Sequence, residues 1–231
     1  GTLNSAANAL VDSSIALAPL PLGTFNHFAK DLGVPLLLEQ ALDALAAGRI
    51  RSIDVGEING RVFLNNASLG IYPYAVRRRE LARQQLGLRK LPAMGYALLG
   101  ALWRLPMMNV LLRADDGHQE LFKTPFVFIG NNQYRIAALA AVQRETLDRG
   151  RLSLFYTRRI GRLQLMRIAA STLLGGARPA PELEMRLTEA VELRFRRRTI
   201  KLAMDGEVVR LATPLTVRSR RGALKVVVPV A

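Results

Sequence analysis

Three short turns built from asparagine, aspartate and glycine constrain the fold of this chain more than any other feature. Each turn is flanked by two segments rich in apolar residues: Ser52–Ile58 and Arg61–Asn65 around Asn59-Gly60, Met108–Arg113 and Gln119–Lys123 around 115–118, and 200–204 and 208–211 around Asp205-Gly206. Asn-Gly and Asp-Gly favour two-residue hairpin turns, because both central residues need a positive φ. The segment 191–195 alternates apolar with charged residues, and 224–230 is an apolar run. The chain after residue 51 is therefore predicted to be mostly antiparallel β-structure.

The first 51 residues have a different pattern, which indicates an α/β unit. Apolar residues at helical spacing predict helices over 3–11, 25–32 and 36–47. The continuous apolar run Ile15–Leu20 predicts a buried strand of a parallel sheet that is covered on both faces. Helical spacing returns over 77–105 and 161–174, so we expect peripheral helices around the β-structure.

The composition excludes several classes of site. The chain has 231 residues, half of them hydrophobic, which is enough to build a core. It has no cysteine, so disulfide scaffolds, thiolate catalysis and cysteine metal sites are excluded. His27 and His118 are the only histidines and lie far apart in sequence, so we expect no multi-histidine metal site. The most apolar region, 91–112, contains Arg104 and two prolines, which argues against a membrane-spanning helix.

The chain is strongly basic, with 33 Lys and Arg residues against 18 Asp and Glu residues and a formal charge of +15. The arginines cluster at 77–79, 158–159 and 196–198. Such clusters are compatible with nucleic-acid binding, with solvated faces, and with attraction to an anionic membrane surface. Aromatic residues that could stack on bases make up only 6% of the chain. We therefore expect no nucleic-acid partner, and a peripheral membrane contact explains the charge at least as well.

Two glycine–threonine turns are candidate phosphate-binding elements. Gly23-Thr24 joins the predicted strand 15–20 to a helix, and Gly1-Thr2 precedes the first helix. Backbone N–H groups at the start of a helix attract anions, and a glycine lets a ligand approach closely. Two such turns in one parallel unit would face the same edge of the sheet, where α/β proteins bind ligands. An ordinary glycine turn with a threonine cap is the alternative for each.

The turn Asp205-Gly206 is followed directly by Glu207. Of two neighbouring carboxylates, one can act as a general base while the other orients it or holds a metal. An ordinary hairpin turn, as at Asp116-Gly117, is the alternative that the local pattern favours.

Taken together, these motifs resemble the diacylglycerol kinase catalytic-domain family, which includes bacterial soluble lipid kinases and is related to sphingosine kinases. Gly1-Thr2-Leu3-Asn4 resembles the end of that family's Gly-Gly-Asp-Gly-Thr-x-Asn signature, and the run 21–33 resembles its second motif. The remaining motifs follow in the family's order: Ile53-Asp54-Val55-Gly56, the run 63–70, and Asp205-Gly206-Glu207. The resemblance covers essentially the whole chain, as an N-terminally truncated member.

The resemblance implies ATP-dependent phosphorylation of a lipid hydroxyl, with Mg²⁺ as the metal cofactor. It implies the C-terminal part of an α/β nucleotide-binding domain at 1–51, rejoined by 222–231, and a larger, mostly antiparallel β-sandwich domain with peripheral helices at 52–221. Glu207 would be the catalytic base, with Asp205 beside it. The nucleotide would be bound by residues of the two glycine–threonine turns: Gly1, Thr2, Asn4, Gly23, Thr24 and Asn26. No residue is assigned as a metal ligand.

The chain departs from the family's pattern at three places. His27 stands where many members have aspartate, so acidic chemistry is lost there. Arg149 stands where relatives place an acidic ligand of a structural magnesium, although Asp148 could still contribute. The leading Gly-Gly-Asp of the signature is not in the sequence, which predicts weak ATP binding by this segment.

Three functions therefore remain to be compared. The first is a lipid kinase with a diacylglycerol-like acceptor, cytoplasmic and peripherally associated with an anionic membrane. The second is a non-catalytic basic module that binds an anionic membrane surface or nucleic acid. The third is phosphorylation of a soluble acceptor, as in the distantly related NAD kinases. Which lipid alcohol is the acceptor, and whether the protein forms a homodimer, stay open.

Overall fold

The computed structural model describes residues 2–23, 26–70, 107–138, 141–144, 146–158 and 183–230. The helices predicted over 77–105 and 161–174 lie outside the described residues, as do Gly1 and Thr24. The described helices are α1 (Thr2–Leu10), α2 (His27–Asp31) and α3 (Leu38–Ala46). The described strands are β1 (Arg49–Ile58), β2 (Arg61–Phe63), β3 (Asn66–Gly70), β4 (Met108–Ala114), β5 (Gln119–Thr124), β6 (Phe126–Asn131), β7 (Tyr134–Ala138), β8 (Ala141–Arg144), β9 (Leu152–Thr157), β10 (Leu183–Thr188), β11 (Ala190–Arg194), β12 (Thr199–Met204), β13 (Glu207–Ala212) and β14 (Leu215–Val228).

Two six-stranded antiparallel sheets pack against each other as a sandwich. The first has the order β2-β1-β14-β11-β4-β5 and the second β10-β9-β6-β3-β12-β13, while β7 and β8 form a separate pair. One buried cluster draws side chains from both sheets, for example Leu112 and Leu193 from the first and Ile129 and Leu202 from the second. Burial of these apolar faces against each other stabilises the sandwich.

The sheet that contains β1, β2 and β14 is apolar on both faces. Neighbouring residues of β2 point to opposite sides, as the alternation of a strand requires. Phe63 belongs to the core of the sandwich, whereas Val62 belongs to a second cluster that includes residues of all three helices. The helices and the sandwich therefore share this sheet, and the connection from β2 to β3 lies where the two cores meet.

Asp54 lies at an irregularity in the pairing of β1 with β14, near the place where the two cores meet. The register shifts between Ile53 and Val55. The buried Asp54 carboxylate accepts hydrogen bonds from the amide of Gly150 at 2.5 Å and from that of Gly222 at 2.8 Å. Because a buried carboxylate needs such donors, Asp54 fixes the 146–150 loop to the bulged strand.

Most of the predicted elements that fall on described residues are present. α2 and α3 lie within the predicted segments 25–32 and 36–47, and α1 begins one residue before the predicted segment 3–11. All three glycine-containing turns join antiparallel strands. Both central residues have the expected positive φ at Asn59-Gly60, with 49° and 81°, and at Asp205-Gly206, whereas at Asp116-Gly117 only the glycine does, with 82°. The mostly antiparallel prediction for the chain after residue 51 is confirmed for the described residues.

The prediction of a buried strand over Ile15–Leu20 is wrong. Leu17 forms a single parallel bridge to Val226, and the side chain of Ile15 is 61% exposed. Pro19 and Pro21 have no N–H to donate to a ladder, so pairing does not continue beyond the bridge. The apolar character of the run did not by itself predict that strand pairing would end at this bridge.

We expect Gly56→Ala to destabilise the protein by about 1–3 kcal/mol through overpacking. Gly56 pairs with Phe63 across β1 and β2, and a Cβ at Gly56 would lie 2.1 Å from Cζ of that ring. Urea unfolding measures the loss. Adding Phe63→Leu should restore part of it, since the smaller side chain makes room, and a single variant as stable as the wild type would contradict the packing argument.

Candidate active site

The tip of the β12–β13 hairpin is a two-residue turn that carries two acidic residues, Asp205 in the turn and Glu207 directly after it. Asp205 and Gly206 have φ values of 47° and 87°, which the left-handed region allows for aspartate and glycine. Met204 pairs with Glu207 across the turn. Glu207 is therefore the first residue of β13, and it is exposed at the end of the hairpin.

The Asp205 carboxylate accepts four hydrogen bonds. Three donors are consecutive backbone amides of the segment Leu64, Asn65 and Asn66, here called the 64–66 segment, at 2.8, 2.8 and 3.2 Å. The fourth donor is Nδ2 of Asn4, at 2.6 Å. A carboxylate has about four lone-pair positions, so this one is fully used in holding the hairpin tip to its surroundings.

Two asparagines of α1 attach this helix to β2. Asn8 exchanges two hydrogen bonds with the backbone of Val62, at 2.9 and 3.1 Å, and its Nδ2 also donates to Oδ1 of Asn4 at 3.0 Å. Residues at i and i+4 lie on the same helix face, so the two amides act together. Asn4 is thereby oriented toward Asp205, although 201 positions separate the two residues.

A cavity of about 380 Å³ opens between α1 and the hairpin. Its walls combine polar, apolar and charged side chains: Asn4, Ser5, Asn8, Arg61, Met204, Glu207 and Val209. Glu207 and Arg61 bring opposite charges to one cavity next to two apolar residues. Such a site can accept a ligand with both a polar and an apolar part. Arg61 was not among the predicted site residues, because nothing in its own hairpin distinguishes it from a surface arginine.

The second glycine–threonine turn is closed by Asn26. Asn26 has a φ of 52°, its Oδ1 accepts from the amide of Gly23 at 2.8 Å, and its Nδ2 donates to the carbonyl of Pro21 at 2.9 Å. The described residues of the turn thus hydrogen-bond among themselves. α2 begins at His27 and has five residues, which is shorter than predicted.

The predicted site residues thus fall into two groups. The structure brings Asn4 and Glu207 together at one cavity, Asp205 accepts a hydrogen bond from Asn4, and Thr2 belongs to the same helix as Asn4. Gly23 and Asn26 lie together in the second turn. Gly1 and Thr24 are not among the described residues.

The loop that carries Asp148 and Arg149 is held by contacts within the protein. Asp148 pairs with Arg51 at 2.5 Å, and the backbone amide of Arg149 donates to Oδ1 of Asn132 at 3.0 Å. Across the described ranges, no three His, Asp or Glu side chains are grouped closely enough to hold a metal ion. In the same ranges, no helix is long and apolar enough to span a bilayer.

Much of the positive charge is paired. Arginines of the described residues form ion pairs across strands and loops: Arg51 with Asp148, Arg158 with Glu120 and Glu184, Arg186 with Asp116, Arg218 and Arg220 with Glu57, and Arg221 with Glu189. By contrast, the 196–198 cluster is exposed. Because the formal charge of +15 already counts these acidic partners, the ion pairs change where the charge lies on the described surface rather than how large it is.

Comparison with known proteins gives sequence similarity over part of the chain, residues 1–58 for a family model and 30% of the chain for individual relatives. Residues 1–58 match the model of the diacylglycerol kinase catalytic domain. A probable lipid kinase YegS-like of Pseudomonas fluorescens is 49% identical over 72 residues, which are 30% of this chain and 24% of the relative. A diacylglycerol kinase of Bacillus subtilis is 40% identical over 73 residues, with coverages of 30% and 24%. The matched segment thus spans about a quarter of the length of these relatives.

Similarity in fold extends along the chain. A putative diacylglycerol kinase from Bacillus anthracis superposes with a TM-score of 0.70 over 99% of this chain and 75% of that chain, at 21% identity. A second structure of a putative diacylglycerol kinase from this organism gives 0.69. Residues 1–58 therefore match the diacylglycerol kinase catalytic domain, and the chain shares its fold with proteins that carry that name.

Proposed function

We propose that the chain belongs to a lipid kinase that transfers the γ-phosphate of ATP to the hydroxyl of a diacylglycerol-like lipid. The match of residues 1–58 supports the reaction class. The observation that carries the proposal is the 2.6 Å hydrogen bond from Asn4 to Asp205. It joins the segment that resembles the nucleotide signature to the acidic hairpin, with Glu207 at the cavity between them.

Glu207 is the general base in this proposal. Its carboxylate lies at the cavity, where an acceptor hydroxyl can reach it, and it takes the proton as the hydroxyl oxygen becomes the nucleophile. Phosphoryl transfer otherwise depends on alignment and charge neutralisation rather than on covalent chemistry by the protein. Met204 and Val209 give the cavity an apolar wall, which suits the hydrocarbon next to a lipid hydroxyl.

Asp205 acts on the reaction through position. Its four hydrogen bonds leave no acceptor for a substrate proton, and they hold the turn from which Glu207 extends. Asn4 of α1 helps to hold this turn in place by donating a hydrogen bond to Asp205. Gly1, Thr2, Gly23, Thr24 and Asn26 are assigned to the nucleotide phosphates, supported by the match of residues 1–58 to the catalytic-domain model.

ATP supplies the phosphoryl group, and Mg²⁺ neutralises its charge when bound. Magnesium is usually held by one or two carboxylates together with waters and substrate phosphates. Among the described residues, the carboxylate that lines the cavity is that of Glu207, which is assigned as the base, so no residue is assigned as a magnesium ligand. Asp205 does not fit as a ligand, because its lone pairs are occupied.

The test is an assay with radiolabelled ATP and Mg²⁺ against diacylglycerol, monoacylglycerol, a long-chain base and an isoprenoid alcohol in mixed micelles. We expect label in the lipid fraction, strongest for one acceptor. NAD as acceptor tests the soluble alternative. Salt-sensitive binding to RNA or anionic vesicles without ATP turnover would contradict the kinase and support the basic module instead. Membrane association and dimerisation are proposals that vesicle flotation and sedimentation check.

A further inference from the structure

Arg144 is a buried arginine that no sequence motif marks. It is the last residue of β8, and its side chain is 1% exposed. A guanidinium out of water requires a full set of partners, because an unpaired buried charge is very costly. Among the described residues, its hydrogen-bond partners are Asp31, the last residue of α2, and the first two residues of the 64–66 segment.

The Arg144 guanidinium hydrogen-bonds to α2 and to the 64–66 segment at the same time. Toward α2, Nε donates to Oδ2 of Asp31 at 3.0 Å, and Nη2 contacts the same oxygen. Toward the 64–66 segment, Nη1 donates to the carbonyl of Leu64 at 2.7 Å and Nη2 to Oδ1 of Asn65 at 2.9 Å. The rigid, planar fork of arginine suits this two-sided contact, and a lysine ammonium cannot reproduce it.

The peptide between Leu64 and Asn65 connects Arg144 to Asp205. The peptide unit is planar, so its carbonyl and its N–H point in opposite directions. Arg144 holds the carbonyl of Leu64, while the N–H of Asn65 donates to Asp205 at 2.8 Å. A cation at one end and an anion at the other polarise the same peptide and strengthen both hydrogen bonds.

The next peptide is held in the same way. The carbonyl of Asn65 accepts from the amide of Asn131 at 2.9 Å and from the hydroxyl of Tyr134 at 3.0 Å, while the N–H of Asn66 donates to Asp205. The Arg144 guanidinium lies 5.8 Å from the centre of the Tyr134 ring. Burial raises the pKa of Tyr134 to about 12, so its hydroxyl stays a donor at neutral pH.

We propose that Arg144 is a positioning residue that fixes the acidic hairpin tip relative to α2. The path runs from Asp31 through Arg144 and the 64–66 segment to Asp205, and from there to Asn4 of α1. α2 directly follows the 21–26 turn assigned to the nucleotide. This step rests on the proposed function: the path sets the distance between the 21–26 turn, which is assigned to the nucleotide phosphates, and Glu207.

The decisive test is amide hydrogen exchange, which needs no activity. We expect Arg144→Met to speed exchange at Asn65 and Asn66 by about tenfold or more, with β4 and β5 unchanged. Arg144→Lys should give a smaller effect, because it keeps the charge but loses the fork. Arg186→Met is the matched control, since it removes a partly exposed pair with Asp116 at the β4–β5 turn. Unchanged rates at Asn65 and Asn66, or equal acceleration everywhere, would overturn the proposal.

Kinetics supply the second readout. In Arg144→Met we expect kcat to fall by about 10–100-fold, with the KM for the lipid within about twofold, since alignment rather than binding is lost. Arg186→Met should retain the wild-type kcat. An unchanged kcat in a folded Arg144→Met variant would overturn the role in catalysis. If that variant does not fold, Asp31→Asn replaces it in both measurements. If the wild type transfers no phosphate to lipid, that result counts against the proposed kinase activity. The exchange rates would still test the positioning role of Arg144.

Discussion

Replacing Glu207 with glutamine should lower kcat by about 10²–10⁴-fold, the range for loss of a general base. Glutamine keeps the size and polarity of the side chain, but its amide cannot accept the proton of the acceptor hydroxyl. The fold should not change. Glu207 enters the sheet through its backbone pairing with Met204, and its side chain is exposed at the cavity. The KM for the lipid should stay close to that of the wild type.

The measurement is steady-state transfer from ATP to the best acceptor of the lipid panel, with circular dichroism to show an intact fold. Glu189→Gln is the matched control, because it makes the same change in charge at a surface pair with Arg221. It should retain full activity. A Glu207→Gln variant as active as the control would remove Glu207 from the reaction and leave the hairpin with a structural role.

The hairpins could be predicted because their turns are determined locally. Asn59-Gly60 and Asp205-Gly206 both adopt positive φ values, which few other dipeptides tolerate. The residues on either side then pair in the register that the turn dictates. No partner elsewhere in the chain is needed for this inference.

Elements that depend on distant partners could not be predicted in this way. β9 is buried at every position between β6 and β10, so it has no alternation to distinguish it from other apolar runs. The run Ile15–Leu20 is also apolar, yet it forms a single bridge, because Pro19 and Pro21 have no N–H to donate. The strands that pair with β9 lie elsewhere in the chain, and sequence spacing does not identify them.

The residues of the candidate site also differ in whether the local sequence could predict their role. The two Asp-Gly turns at 116 and 205 have the same local pattern, and only the resemblance to a family separated them. In the structure Asp116 accepts from the amide of His118 and pairs with Arg186 at the surface. Asp205 instead collects four donors from residues 139 to 201 positions away. Arg144 gave no signal at all, since its partners are 79 to 113 positions distant.

Asp205→Asn should destabilise the protein by about 2–4 kcal/mol, because it leaves donors without an acceptor. Each carboxylate oxygen accepts two hydrogen bonds, Oδ1 from Asn65 and Asn66 and Oδ2 from Leu64 and Asn4. Asparagine keeps one oxygen and turns an NH₂ group toward two N–H donors. It also tolerates the positive φ of this position, so the loss reports on the hydrogen bonds rather than on the turn.

Activity should fall in the same variant by about 100-fold, because Glu207 is two residues further on and a displacement near 1 Å costs that much. Urea unfolding and steady-state transfer measure the two effects on one preparation. Asp116→Asn is the matched control: the same substitution in the other Asp-Gly turn removes one backbone acceptor and one surface ion pair, and it should lose less stability and no activity. Equal losses of stability in the two variants would mean that the four hydrogen bonds of Asp205 contribute no more than an ordinary turn does. The 64–66 segment would then be held without the carboxylate, and the argument that Asp205 positions Glu207 would fail.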